Sequence, residues 1–157
     1  MKAGTMLTVL VGILLPLTVA CQSKKAPVPP PDFSPVMESE WVLSEIRASG
    51  RTIVLDWEHN DEVFGEIFTI RFEETTVFGI GAPNSYRGPY TREDDRLSFG
   101  PAASTLMAAF LEPEELTEYE FFGYLAATVS WDLEDGNLLL YTSGEGGGET
   151  VLVFVPL

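Results

Sequence analysis

From Trp41 to Leu157 the hydrophobic positions come in short runs rich in β-branched and aromatic residues, cut every few positions by Gly, Asn, Asp or Pro. That is the signature of strands and tight turns rather than of long helices. Ile67, Thr69 and Arg71 alternate with Phe68, Ile70 and Phe72, and Trp41, Leu43 and Glu45 alternate with Val42, Ser44 and Ile46. A period of two sends successive side chains to opposite faces of a sheet. By the same reasoning 52–57, 75–78, 85–90, 97–99, 128–133, 138–142 and 150–155 are strand candidates. Asp135-Gly136-Asn137 between two apolar runs predicts a tight hairpin, because these residues tolerate positive φ. Gly144 to Gly148 predicts a looser loop ahead of the last strand.

One stretch breaks this period. Pro113 suits a helical first turn, Glu114, Glu115, Glu118 and Glu120 follow it, and Leu116, Phe121, Tyr124 and Leu125 can share one apolar face. Carboxylates near a helix N-terminus are favoured by its dipole. About six strands, one helix and three more strands predict a mainly β domain, a sheet or partly closed barrel with the helix over an opening.

The N-terminus follows another pattern. Met1 to Ala20 has a single charge, Lys2, and an apolar run from Met6 to Ala20 interrupted by Pro16. A membrane-spanning helix needs about 20 apolar residues, so residues 1–20 are expected to be a signal peptide. Leu17-Thr18-Val19-Ala20-Cys21 resembles the lipobox of bacterial lipoproteins, except that Thr18 stands where Leu is commoner. The resemblance implies cleavage after Ala20 and acylation of Cys21. Multiple acyl chains hold a protein on a bilayer where one binds marginally. Gln22 rather than Asp follows the cysteine, which under the sorting rule of such lipoproteins implies the outer membrane. Residues 21–40, with Pro27, Pro29, Pro30, Pro31 and Pro35, are expected to be an extended spacer that forms neither ladder nor helix. The folded domain is then 41–157.

Charge narrows the function. The whole chain carries 9 Lys plus Arg against 24 Asp plus Glu, a formal charge of −15. Nucleic-acid binding and docking on anionic lipid through a basic patch are both disfavoured, since each needs clustered cations. Such a field repels polyanions and attracts basic partners, although acidity alone also serves solubility. One His and one Cys cannot build a zinc site of the usual type or an internal disulfide.

Three ordered stretches resemble the META domain, the family that includes the bacterial heat-shock lipoprotein HslJ. They are Trp41-x-Leu43-x-x-Ile46; Gly79-x-Gly81-x-x-Asn84-x-Tyr86-x-Gly88-x-Tyr90; and Ala103-Ser104-Thr105-Leu106-Met107, followed by the acidic helix, Leu138-x-Leu140 and Leu152-x-Phe154. The resemblance implies a small antiparallel β-barrel-like domain with one helix. Pro83 and Ala109 stand where family members often carry cysteines, so whatever those cysteines do is missing here. The motif positions Trp41, Gly79, Gly81, Asn84, Gly88, Tyr90, Ser104, Thr105 and Met107 are expected to be structural. The glycines suit positive φ or close approach, Asn84 a turn cap, and Met107 the core through alternation with Thr105.

No catalytic constellation stands out. His59 lies in a charged polar stretch, Asp56 to Glu62, poorly suited to a catalytic base. Asp132 to Asn137 lacks the spacing and closing Glu of an EF-hand, and the Gly144 to Gly148 loop lacks the Lys of a phosphate loop. The chain is therefore expected to be a non-enzyme with no cofactor and no metal. The leading expectation is an envelope-anchored binding or stress-tolerance lipoprotein, held to the membrane through Cys21 and engaging a protein or another envelope component. A lipid-anchored inhibitor of a basic enzyme such as lysozyme is the alternative. A hydrolase using a carboxylate pair comes third, because 21 acids in the domain make some close pair inevitable.

Overall fold

The computed structural model describes residues 31–56, 59, 62, 65–107, 113–143 and 148–157. Along the chain these form a short helix α1 (Ser34–Met37) and the strands β1 (Glu40–Ala48), β2 (Arg51–Val54), β3 (Thr69–Phe72), β4 (Thr76–Ile80), β5 (Ser85–Glu93), β6 (Arg96–Phe99) and β7 (Ala103–Ser104). A helix α2 (Glu118–Ala126) precedes β8 (Thr128–Glu134), β9 (Asn137–Ser143) and β10 (Glu149–Pro156). The ring β1-β3-β4-β5-β6-β8-β9-β10 returns to β1, and all its pairings are antiparallel. This is a closed eight-stranded barrel, with β2 extending from β1 and β7 lying beside β5. Closure gives every strand of the ring a neighbour on both sides.

The seams are unequal. Six register pairs join β1 to β10 across a bulge between Leu43 and Glu45, whereas a single pair, Arg96 with Ser130, joins β6 to β8. Inward residues fill the barrel: Ile46, Ile70, Leu97, Leu140, Leu152 and Phe154 are all buried. Each such side chain contributes about 1.5–3 kcal/mol by leaving water. The β8–β9 turn forms as its sequence predicts, with Asp135 and Gly136 both at positive φ. The strand candidates are all found, though the run from Ile67 starts as a strand at Thr69 and the run from Thr52 ends as a strand at Val54. Phe68 leaves the strand geometry with φ 52°, its amide bonded to the Gly81 carbonyl and its carbonyl to the Leu43 amide.

Two expectations change. The helix starts at Glu118, not Pro113, because Thr117 and Glu120 form a reciprocal capping box. The Thr117 Oγ1 accepts from the Glu120 amide at 3.3 Å, and Glu120 Oε2 accepts from the Thr117 amide at 2.9 Å and hydroxyl at 2.7 Å. Those two bonds hold the Glu120 carboxyl below its ordinary pKa. Pro113 is buried in the approach to the helix.

The folded body also begins before residue 41, because it takes in residues 33–37. Phe33 and Val36 are buried, and α1 has a proline in its first turn, the place where a helix tolerates one. The Phe33 ring sits edge-on against Trp131 at 4.6 Å and Phe72 at 5.3 Å, with the Arg92 guanidinium 4.8 Å from its centre. Trp41 Nε1–H donates to the Val36 carbonyl at 3.0 Å. Apolar Phe and Val among the prolines thus supply a plug for one end of the barrel. Helix α2 closes the other end, where Phe121 packs on Phe68 and Tyr86.

Candidate binding site

The β4–β5 turn, Gly81-Ala82-Pro83-Asn84, folds onto the first residue of α2. The Gly81 amide donates to the Asn84 carbonyl at 2.7 Å, and the Ala82–Pro83 bond is cis. Glu118 Oε1 accepts from the Ala82 and Asn84 amides, each at 2.8 Å, and Oε2 accepts from Asn84 Nδ2 at 2.8 Å. The second Nδ2 hydrogen goes to the Met107 carbonyl at 3.2 Å. Asn84 Oδ1 accepts from the Thr105 hydroxyl at 2.8 Å and the Met107 amide at 2.7 Å. A side-chain amide has two donors and two lone pairs, and here all four are used. One buried asparagine and one carboxylate therefore fasten the turn, the 105–107 segment and the helix together.

Around this knot the glycines answer to space. Gly79, Gly81 and Gly88 have no positive φ. A Cβ on Gly81 would come within 2.5 Å of Glu118 Oε1, and one on Gly79 would strike the Thr69 carbonyl and the Tyr86 ring. On Gly88 it would press on Ala102 at 3.1 Å. Tyr86 O–H donates to the Thr69 carbonyl at 2.9 Å and Tyr90 O–H to the Glu73 carbonyl at 2.7 Å. Burial pushes both phenol pKa values up.

Beside the knot lies an apolar pocket of about 450 Å³, lined chiefly by Val77, Tyr86, Phe99, Pro101, Phe122 and Leu125. Helix α2 forms one wall and the Gly100–Ala102 turn another. The volume is typical of a small-ligand or side-chain site, and no charged residue is among its described lining. Two and three residues past the lining Ser104, Leu106 and Met107 are 98% and 60% exposed.

The structure gathers Gly79, Gly81, Asn84, Gly88, Ser104, Thr105 and Met107 at this end of the barrel, with Ser104 on the pocket wall. Trp41 and Tyr90 are buried apart from it, packed with the plug. Two expectations are corrected. Asn84 does more than cap its own turn, and Met107 lies outside the core, because its backbone rather than its side chain is what the knot holds. Glu118 is the residue that sequence reasoning placed among dipole acids and missed as the staple. Ala20, Cys21 and Ala109 fall outside the described residues. His59 is exposed, its amide bonded to Asp56 Oδ1 at 3.1 Å. Among the described residues no three His, Cys, Asp or Glu approach one another as metal ligands, and no helix is long and apolar enough to cross a membrane.

The META domain profile matches residues 34–155, nearly the whole folded body and beginning within the plug. The chain belongs to the META domain family. No curated protein matches it. This META domain resembles two solved structures in fold. One is the NMR structure of a protein from Burkholderia xenovorans, with TM-score 0.58, 20% identity, and 91% of this chain and 99% of the other covered. The second is the crystal structure of a DUF4847 family protein from Bacteroides vulgatus, with TM-score 0.51, 15% identity, and 76% and 93% covered.

Proposed function

We propose that this META domain is a non-enzymatic binding module, held at the bacterial cell envelope by lipid on Cys21, that uses the pocket between α2 and the Gly100–Ala102 turn. The pocket carries the reading: it is a concave apolar surface with Ser104 on its wall and the Asn84–Glu118 knot beside it, and the polar groups of that knot are consumed by one another. The lipobox-like stretch ending at Cys21 supports the address.

A photo-crosslinking residue placed at Ala126, which is exposed on the pocket wall, tests this in intact cells, with Cys21→Ala as the mislocalised control. The expected outcome is a small set of adducts recovered repeatedly and lost in the control. A probe that labels nothing, or labels the same products from the Cys21→Ala protein, refutes the reading.

A further inference from the structure

The charge along the chain is lopsided. Arg96 is its last basic residue, and from Leu97 to Leu157 there are ten acids and no Lys, Arg or His. This stretch supplies most of the pocket: Phe99 to Ala102, Ser104 and the α2 residues Phe122, Leu125 and Ala126. Glu114 and Glu115 on the approach to α2, and Glu120 in its first turn, are exposed. The last turn of α2, whose residues line the pocket, has no basic side chain, so the negative end of the helix dipole is uncompensated from within the helix.

On these observations, and resting on the binding reading above, we infer that the pocket's occupant is an apolar side chain of a basic polypeptide segment, with the flanking cations of that segment facing Glu114, Glu115 and Glu120. An anionic amphiphile would bring its head group to a surface whose net charge is negative, with Arg87 of β5, opposite Ala103, as the cation nearest the lining in the strand register. A small neutral molecule would leave Leu106 and Met107, exposed two and three residues past the lining Ser104, uncovered. A polypeptide covers both. Among the described residues β7 is also paired along its β5 edge alone, which leaves backbone groups for an extended segment to join. An apolar anchor in a desolvated pocket with charges at the rim is the usual division of labour in protein interfaces.

The test uses the full-length chain in non-ionic detergent and three short fluorescent peptides: alternating Lys and Leu, alternating Glu and Leu, and alternating Lys and Ser. Anisotropy should show the Lys/Leu peptide binding and the other two failing. Ala126→Trp, which fills the pocket mouth from an exposed position, should weaken binding by about tenfold. Ser104→Phe, across the pocket, serves as a second block should the first variant misfold. Glu114→Gln with Glu115→Gln should weaken it less, and added salt should reduce what those two carboxylates contribute. Equal binding of the Lys/Ser peptide, or no effect of either pocket variant on a folded protein, overturns the inference by reducing it to charge attraction. Equal binding of the Glu/Leu peptide overturns the basic partner while leaving the pocket as a binding site. If no peptide binds while cellular adducts still form at Ala126, the partner class is wrong and the binding reading stands.

Discussion

Asn84→Asp should be severely destabilising, and Glu118→Gln should rescue part of the damage. In the native knot Asn84 Nδ2 stands 2.8 Å from Glu118 Oε2 and 3.2 Å from the Met107 carbonyl. Asn84→Asp turns that donor into an acceptor facing two acceptors, so it removes one charge-assisted and one ordinary hydrogen bond and sets two carboxylates together. At about 1.5–3 kcal/mol for the first and about 1 for the second, with the repulsion added, the cost is about 4 kcal/mol. Glu118→Gln alone keeps a carbonyl oxygen for the Ala82 and Asn84 amides but faces Asn84 Nδ2 with its own NH₂, at a cost of about 2 kcal/mol. Combined, the new glutamine donates to the new aspartate, and only the Met107 carbonyl stays unpartnered. The double variant should therefore lose about 2–3 kcal/mol, well short of the sum. Urea unfolding followed by tryptophan fluorescence reads this as a midpoint shift at constant slope, since Trp41 and Trp131 are both buried. A coupling of under about 0.5 kcal/mol would mean that the two residues act independently, contrary to the network described here.

Two further outcomes follow from the same geometry. Phe33→Ala empties the plug between Trp131, Phe72 and Arg92 and should lower stability by about 3–4 kcal/mol in thermal or urea unfolding; a loss below about 1 kcal/mol would return residues 31–37 to the role of spacer. Glu120→Gln should cost about 0.5 kcal/mol at neutral pH, a value discounted for exposure, and nothing in acid. The folded pKa of Glu120 lies below its unfolded value, so its stabilisation is present above the ordinary glutamate range and is lost as pH falls through the folded value. Melting temperatures of both proteins across acid pH should converge, and a constant offset would refute the carboxylate's part in the cap.

The barrel strands are legible in the sequence because a wall packed on one face imposes alternation, and Ser85 to Tyr90 shows it plainly, buried at every second residue. Ring closure is not, since pairing of β1 with both β3 and β10 depends on contacts between distant positions. Thr117 and Glu120 do carry a local signature, threonine followed three residues later by glutamate, which outranks Pro113 as a helix start. Phe33 and Val36 hide among prolines, where composition points to an extended chain while two apolar side chains decide otherwise. Glu118 could not be told from its acidic neighbours, because its distinction is the set of amides that the β4–β5 turn brings to it. The pocket is equally invisible locally: its walls come from β4, β5, the end of β6 and α2.

The plug changes how far the domain can travel. With Cys21 in the bilayer, as proposed, and Asp32 adjoining the buried Phe33, roughly eleven residues separate membrane from barrel, a leash of under about 40 Å even at full stretch. That is comparable to the diameter of the domain itself. A barrel on so short a leash is confined to a thin layer against one membrane face, where its effective concentration toward anything else in that layer is high and toward anything beyond it is close to zero. Lengthening the segment before Asp32 would widen that layer without touching the fold, so the distance at which the pocket works is set by the residues that precede the plug.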